Sequence, residues 1–363
     1  MESKIRVLLD TITHPETGAG LHDGGFVDQI TVKEERVTIT LRFEKSRDPF
    51  ASKLRRRVEE LIRNSKQELG LSEVCGVMVM VKEGVAPRHA QPDLKSISGL
   101  GAVKRIVAIA SGKGGVGKST VTANLAATFQ RMGYRVGVLD ADIYGPSQAK
   151  MFGVEGFAPL ATTDANGNDM ISAAEAMGDG ENPPIKVMSI GFFIKDSDPL
   201  MWRGAMASNA LKQLLHQTEW GELDILLTDL PPGTGDIHLT ILAEAKYDGA
   251  VIVSTPQGIA LADVARGVEM FNHPKVNIPL LGMVENMAFF TPDDAPEKRY
   301  YIFGHGGASR YAAERGIALL GEVPIYESIM AGGESGTPAI SSDPRVERCY
   351  SLIAATIVGE LEG

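Results

Sequence analysis

The sequence predicts an α/β fold, a mostly parallel sheet with helices on both faces, preceded by a small α+β domain. Three observations carry that expectation. From residue 104 onward, short apolar runs alternate with helical segments, as expected of strands buried on both faces. A glycine-rich loop, Gly112–Ser119, joins the first of those runs to a helical segment. Residues 1–84 follow a different order of elements and are set apart by a stretch containing Pro87, Pro92 and a Gly99-Leu100-Gly101 turn.

Within the first segment, Ile5, Leu8, Leu9 and Ile12 fall at helical spacing, and His14-Pro15-Glu16-Thr17-Gly18 ends that helix. Residues 26–32 form a candidate strand. Residues 36–43 alternate, with Val37, Ile39, Leu41 and Phe43 on one face. Phe50, Leu54, Val58, Leu61, Ile62 and Leu69 make a helical stripe, and 76–82 a last short strand. The order α-β-β-α-β defines the small domain, 1–84. Residues 85–103 are the predicted linker and 104–363 the larger domain.

In that larger domain the apolar runs lie at 106–110, 135–139, 186–190, 224–228, 250–254, 279–284 and 317–323. Sheets of this kind bind ligands beyond the carboxyl ends of their strands, so the informative residues should follow each run. After Ile106–Ala110 comes Gly112-Lys113-Gly114-Gly115-Val116-Gly117-Lys118-Ser119, then Thr120 and a helix start. This matches G-x-x-x-x-G-K-[ST] in its strand–loop–helix context, the phosphate loop of a P-loop NTPase sheet. Backbone N–H groups of Gly112 through Thr120 would converge on phosphate oxygens at a helix N-terminus. Lys118 would sit on the β- and γ-phosphates and Ser119 would ligate Mg²⁺. Lys113 is a second lysine in the loop. It is either a solvated surface residue or a charge delivered to the phosphates of a neighbouring subunit, in the manner of an arginine finger, which implies a homodimer.

Two further runs end in carboxylates. Val136–Leu139 leads to Asp140-Ala141-Asp142, where Asp142 is the candidate to orient the attacking water and, with Ser119 and Asp229, to hold Mg²⁺, and Asp140 to tie down the loop. A turn-capping role is the alternative for either aspartate. Asp224–Thr228 leads to Asp229, a carboxylate carried to the metal by a buried strand, the Walker B arrangement. The following Leu230-Pro231-Pro232-Gly233-Thr234-Gly235-Asp236 suggests a switch loop in which the Gly233 N–H senses the γ-phosphate. Asn286, at the end of another run, offers an amide to the adenine edge, and Pro324 a surface for the base; turn formation is the alternative for both. The expected catalytic set is therefore Lys113, Lys118, Asp142 and Asp229, with ATP and Mg²⁺ as cofactors.

Composition narrows the function classes. The chain has 363 residues, 44% hydrophobic and 23% charged, with a formal net charge of −10. That balance argues against nonspecific binding to nucleic acid or anionic lipid. No apolar run reaches the ~18 residues of a bilayer span, and no signal peptide is visible, so a cytoplasmic protein is expected. Two cysteines, Cys75 and Cys349, do not form a disulfide scaffold and are expected to be ordinary buried thiols.

Taken together, Ile109–Thr120, Val138–Ser147, Trp202-Arg203-Gly204, Asp229–Asp236, Thr255-Pro256-Gln257, Glu285-Asn286-Met287 and Ser335-Gly336-Thr337-Pro338 resemble the Mrp-type iron–sulfur cluster carrier ATPases of the MinD-like, deviant-Walker class. The resemblance covers about residues 98–360. Residues 1–82 resemble, more loosely, the SufT/PaaD-like iron–sulfur assembly domain. The resemblance implies a homodimeric, Mg-dependent ATPase that passes a 4Fe–4S cluster from a scaffold to apo-proteins. It also implies a Cys-x-x-Cys pair between the Asn-Met motif and a Phe-Gly-x-Gly-Gly turn. The turn is present as Phe303-Gly304-His305-Gly306-Gly307, but residues 288–302 contain no cysteine. Ser46-Arg47-Asp48-Pro49 stands where the small domain's cysteine is expected. Clusters need thiolate ligands, so no iron–sulfur ligand set is identified. Asp293, Asp294, Glu297 and His305 remain as an option for a hard metal.

Two other functions are weighed against that reading. A partitioning or positioning ATPase would recruit a partner in its ATP-bound dimer form, yet the tail Tyr350–Gly363 lacks a basic amphipathic helix. An electron-transfer ATPase resembling the nitrogenase iron protein needs cluster cysteines that the sequence does not hold.

Overall fold

The computed structural model describes residues 2–15, 18–33, 36–43, 50–72, 75–83, 99–164, 167–178, 181–194, 205–274 and 276–362. Most of the predicted linker, Ser46–Pro49 and Trp202–Gly204 lie outside the described residues. The chain divides into two compact units, Met1–Gln91 and Pro92–Gly363.

In the first unit, helix α1 (Glu2–Leu9) precedes strands β1 (Val27–Lys33) and β2 (Arg36–Phe43), helices α2 (Ala51–Asn64) and α3 (Lys66–Leu69), and strand β3 (Gly76–Glu83). β1 pairs antiparallel with β2, and β2 pairs parallel with β3. The alternation in β2 explains the packing. Val37, Ile39, Leu41 and Phe43 are all fully buried and meet Leu54, Val58 and Ile62 of α2, which recur at helical spacing.

The second unit is built on β4 (Val103–Ala110), α4 (Lys118–Arg131), β5 (Val136–Asp140), α5 (Gln148–Met151), β6 (Ala161–Thr163), β7 (Asp169–Ile171), β8 (Ala174–Ala176) and β9 (Ile185–Ser189). It continues with α6 (Ala205–Gln217), β10 (Leu223–Asp229), α7 (Asp236–Leu242), β11 (Gly249–Ser254), α8 (Gly258–Asn272) and β12 (Leu280–Phe290). It ends with α9 (Gly307–Arg315), β13 (Leu319–Ile325), α10 (Glu327–Ser335) and α11 (Pro344–Glu362). Eight strands form one sheet in the order β13-β12-β11-β4-β10-β5-β9-β8. Every neighbouring pair is parallel except β8 with β9.

Each apolar run marked in the sequence becomes one of the seven parallel strands. Side chains alternate along β4: Val107 and Ile109 face Leu125, Phe129 and Ile353, while Ile106, Ala108 and Ala110 face Leu211, Trp220 and Phe271. Both faces are thus covered by helices, which is why these strands carry no polar alternation. The edge strand β8 and the β6–β7 hairpin escape the sequence reading. Three residues are too few to display a period of two.

Register matters most at the carboxyl edge. β10 lies between β4 and β5, with Asp229 opposite Ile109 on one side and Asp140 on the other. One buried carboxylate is therefore placed directly beside the start of the glycine-rich loop, and a second beside it.

Candidate functional site

The loop between β4 and α4 is shaped by two glycines that nothing larger would replace. Gly117 stands at the N-cap of α4 with φ +82°, a left-handed conformation. A Cβ on Gly112 would come within 2.4 Å of the α8 backbone at Asp263. The loop thereby turns the first N–H groups of α4 toward the carboxyl edge.

The lysine at the end of that loop makes a buried ion pair. Lys118, 5% exposed, donates from Nζ to Asp229 Oδ1 at 2.5 Å and lies 3.2 Å from Ser119 Oγ; Asp229 is 0% exposed. Thr122 Oγ1 donates to the same carboxylate oxygen at 3.2 Å. Sequence reasoning set Lys118 on phosphates; here its ammonium lies between the hydroxyl and the carboxylate assigned to Mg²⁺. A cation at that locus shows that the two oxygen groups converge on positive charge, so Ser119 and Asp229 fit a hard divalent ion.

Asp140 is fully buried and accepts from Ser147 N (2.9 Å), Gln148 N (3.0 Å) and Ser189 Oγ (2.9 Å) through Oδ2, so it ties down the loop after β5. Burial, and next the neighbouring Asp229 charge, raise its pKa. Asp142 is also buried. Its Oδ1 accepts from the Tyr144 and Gly145 N–H groups at 3.2 Å each, a turn-capping arrangement, and burial raises its pKa.

The remaining predicted residues have partners inside the chain. The Gly233 N–H, predicted to face a γ-phosphate, donates to Ser111 O at 3.0 Å and so holds the Pro-Gly loop against the phosphate loop. Lys113 Nζ lies 3.4 Å from Gln257 Oε1, a long and weak bond. Asn286 donates from Nδ2 to Val116 O at 2.8 Å, bracing the phosphate loop. A cavity of about 550 Å³ opens beside Asn286, with Gly117, Thr120, Met287, Pro324 and Tyr326 among its walls. Three residues singled out on separate sequence grounds, Thr120, Asn286 and Pro324, thus share one cavity. The exposed Gly114 and Gly115 and the buried Val116 complete the loop.

Sequence reasoning missed Gln148 and Thr122, and it gave no role of their own to Ser111 and Gln257, which lie inside the quoted motifs. Gln148 follows the Gly145-Pro146-Ser147 turn, and no spacing rule marks a lone polar residue there. Thr122 lies four residues after Lys118, one helical turn on, which places it on the same face of α4; that signal was readable.

Where the resemblance implied a cysteine pair, the chain has an aromatic loop. β12 runs on to Phe290, which exchanges backbone bonds with Tyr300 at 2.9 and 2.8 Å. Arg299 lies over the Phe289 ring and Tyr301 against His305, 4.3 Å between centres in each case. Phe290, Tyr300, Tyr301 and Ile302 are exposed. Asp293 is paired with Arg345 at 2.7 Å. Asp293, Asp294, Glu297 and His305 do not form a group able to share an ion. Among the described residues only Asp10, His22 and Asp23 have ligand atoms within 4.8 Å of one another. There the Asp10 carboxylate already caps the His22 and Asp23 N–H groups at 2.8 Å, His22 Nδ1 faces the Asp10 and Asp23 carboxylates at 3.5 and 3.2 Å, and Arg6 lies 2.9 Å from the opposite ring nitrogen, Nε2.

Neither cysteine is poised as a ligand. Cys75 is buried as expected, whereas Cys349 is only half-buried; it donates from Sγ to Glu322 O at 3.2 Å. Burial pushes the Cys349 thiol up to about 11. At pH 8 only about one Cys349 in a thousand would be thiolate. Iodoacetamide at pH 8 is therefore expected to leave both cysteines unmodified in the native protein and to label both in urea, as read by mass spectrometry. Rapid native labelling of Cys349 would contradict the burial argument.

Comparison with known proteins fits this geometry. Residues 102–358 match the model of the NUBPL iron-transfer P-loop NTPase family, and residues 2–69 that of the iron–sulfur cluster assembly protein family. An iron–sulfur cluster carrier protein of Synechocystis is 36% identical, over 98% of this chain and 97% of its own length. The iron–sulfur cluster transfer protein NUBPL of Dictyostelium discoideum is 42% identical, over 76% of this chain and 81% of its own. A nucleotide-binding protein of Archaeoglobus fulgidus, solved in complex with ADP, superposes with a TM-score of 0.58 at 36% identity, covering 70% of this chain and 95% of its own. The cell division ATPase MinD of Pyrococcus furiosus, 22% identical, shares the fold with a TM-score of 0.50 over 70% of this chain and 99% of its own. Among the described residues no helix is long and apolar enough to cross a membrane. The chain belongs to the NUBPL iron-transfer P-loop NTPase family, with an iron–sulfur cluster assembly domain in residues 2–69.

Proposed function

We propose that this protein is a Mg-dependent ATPase whose nucleotide-driven homodimer serves iron–sulfur cluster assembly or transfer to apo-proteins, with residues 104–363 as the ATPase, 85–103 as linker and 1–84 as the assembly-like domain. The observation that carries the ATPase reading is the convergence of Lys118, Ser119 and Asp229 at the end of a phosphate loop whose Gly117 and Thr120 line one cavity with Asn286 and Pro324. The iron–sulfur reading rests on relatives whose names carry that role, one aligned over 98% of this chain and another over 76%.

In this mechanism the backbone N–H groups of residues 112–120 take the phosphates. Lys118 exchanges Asp229 for phosphate oxygen. Ser119, Asp142 and Asp229 would hold Mg²⁺, and the ion would supply charge neutralisation at the phosphates. Asp142 orients water at the carboxyl edge. Gly233 passes its N–H from Ser111 to the γ-phosphate, which moves the following loop and α7. Lys113 leaves its weak bond to Gln257 and reaches the phosphates of the second subunit. The absence of a cysteine pair between Met287 and Phe303 leaves cluster ligation to residues or partners other than the family's usual motif.

Base selection gives one prediction. With its amide nitrogen held toward Val116, Asn286 presents its carbonyl oxygen as an acceptor, which suits the amino group of adenine and opposes the carbonyl of guanine. ADP is expected to bind at least about tenfold more tightly than GDP, about 1.4 kcal/mol. Asn286→Ala should narrow that ratio in calorimetric titrations; an unchanged ratio would remove Asn286 from the base site. The cellular role is tested by depleting the protein and assaying several iron–sulfur enzymes. Their activities should fall together while metal-free enzymes hold. Unaffected iron–sulfur enzymes would count against the assembly role and favour the partitioning alternative.

A further inference from the structure

Gln148 is fully buried at the start of α5 and belongs to none of the motifs that pointed to the nucleotide. Its amide nitrogen makes two bonds toward the metal side of the phosphate loop: 2.8 Å to Asp229 Oδ2 and 3.0 Å to the Ser119 carbonyl. Asp229 Oδ1 is already occupied by Lys118 and Thr122, so Gln148 fixes the other oxygen. Its backbone N–H is held by Asp140 Oδ2 at 3.0 Å, which anchors α5 while the side chain reaches across. The side chain thus joins the two residues assigned to Mg²⁺, one through its carboxylate and the other through its main chain.

The amide oxygen of Gln148 is the second observation. Oε1 is buried and has no hydrogen-bond partner. A buried carbonyl without a donor carries an uncompensated desolvation cost, and an apolar side chain of the same size would avoid it. Oε1 shares a carbon with the nitrogen that bonds to Asp229 and Ser119. The donor that suits this position is a water of a hydrated divalent cation. Mg²⁺ gives up its water shell reluctantly and retains several waters when bound by one or two protein oxygens.

We propose that Gln148 is a positioning residue for the magnesium–nucleotide site. Its Nε2 sets the Asp229 carboxylate relative to Ser119, and its Oε1 accepts a hydrogen bond from a magnesium-bound water. Gln148 touches neither the nucleotide nor the metal and acts through Asp229 and that water. The inference rests on the ATP and Mg²⁺ reading given above. Partners one step removed from a metal commonly change its affinity 10- to 100-fold when lost.

The test is the Mg²⁺ dependence of ADP binding, measured by calorimetry on the full chain, with Mn²⁺ binding followed separately by electron paramagnetic resonance. Gln148→Leu and the nearly isosteric Gln148→Met remove the amide and keep the volume. Each is expected to raise the half-saturating Mg²⁺ concentration at least about tenfold and to weaken Mn²⁺ binding in parallel. ADP affinity in EDTA should stay within about twofold of wild type, while thermal unfolding should come somewhat earlier in both variants, because the buried Asp229 carboxylate and Ser119 carbonyl lose a donor. Two outcomes overturn the proposal: a Mg²⁺ requirement unchanged in both variants, or an equal loss of ADP affinity with and without metal, which would mark a merely structural role. Should Gln148→Leu fail to fold, Gln148→Met alone decides between them. A wild-type protein whose ADP affinity ignores Mg²⁺ would refute the nucleotide reading itself. Normal wild-type dependence with unaffected variants would refute only the role of Gln148.

Discussion

Replacing Lys113 with alanine is expected to lower ATP turnover by about 10³-fold or more while leaving ADP affinity within a few-fold of wild type. The expectation follows from where the structure holds the side chain. Lys113 is half-buried, its backbone oxygen accepts from Ser111 Oγ at 3.0 Å, and among the described residues its ammonium has the 3.4 Å contact to Gln257 alone. So weak a restraint costs little to break. The ground-state phosphates are served by Lys118 and the loop backbone, so loss of Lys113 should scarcely affect binding. A charge delivered from a second subunit acts where negative charge develops during transfer, and such groups supply factors of 10³–10⁵. Single-turnover hydrolysis beside nucleotide titration separates the two effects. Wild-type turnover by the variant would place Lys113 among ordinary surface lysines and remove the argument for an active dimer. Mixing Lys113→Ala with a Lys118→Ala chain is the stricter check, because the intact Lys118 site of the first chain could take Lys113 from the second and regain turnover.

Lys118→Ala should have a double effect. It removes the phosphate-binding ammonium, and it leaves Asp229 charged and buried without its ion partner. Breaking a buried pair from one side typically costs about 3–5 kcal/mol. The variant is therefore expected to unfold at lower urea concentration and to show no measurable nucleotide binding. A second variant, Lys118→Met with Asp229→Asn, separates the two consequences. With no charge left uncompensated, stability should recover by most of that amount, while nucleotide binding stays absent. Thr122 and Gln148 would still serve the amide that replaces the carboxylate. If Lys118→Ala were as stable as wild type, the pair would contribute nothing to the fold. If the double variant bound nucleotide normally, Lys118 would not be a phosphate ligand.

Much of this site was legible because its chemistry is carried by contiguous residues. The phosphate loop announces itself through glycine spacing, and Asp229 through its place at the end of an apolar strand, which the register then sets beside Asp140. The strands of the parallel sheet were legible because burial on both faces removes polar residues from them. Features set by tertiary contact were not legible. Gln148 earns its place only through the fold of the Tyr144–Ser147 turn over α4, and Gln257 reaches Lys113 across 144 positions of sequence. Asn286 was read as a residue for the base, whereas the structure shows that its amide nitrogen also braces Val116. The charged residues between Phe290 and His305 suggested a metal on composition alone. In the fold, Asp293 turns to Arg345 and His305 to Tyr301, so the option is not assembled.

The chain is expected to bind and hydrolyse ATP while holding no cluster, because residues 288–302 contain no cysteine pair. One anaerobic sample, treated with iron and sulfide, desalted, and assayed for iron, sulfide and ATP turnover together, tests it most directly. The account predicts Mg-dependent ATP hydrolysis with iron and sulfide well below one cluster per dimer and no thiolate-to-iron charge-transfer absorption. A stable, stoichiometric cluster on this chain would contradict it, and so would a protein that neither binds nor hydrolyses ATP.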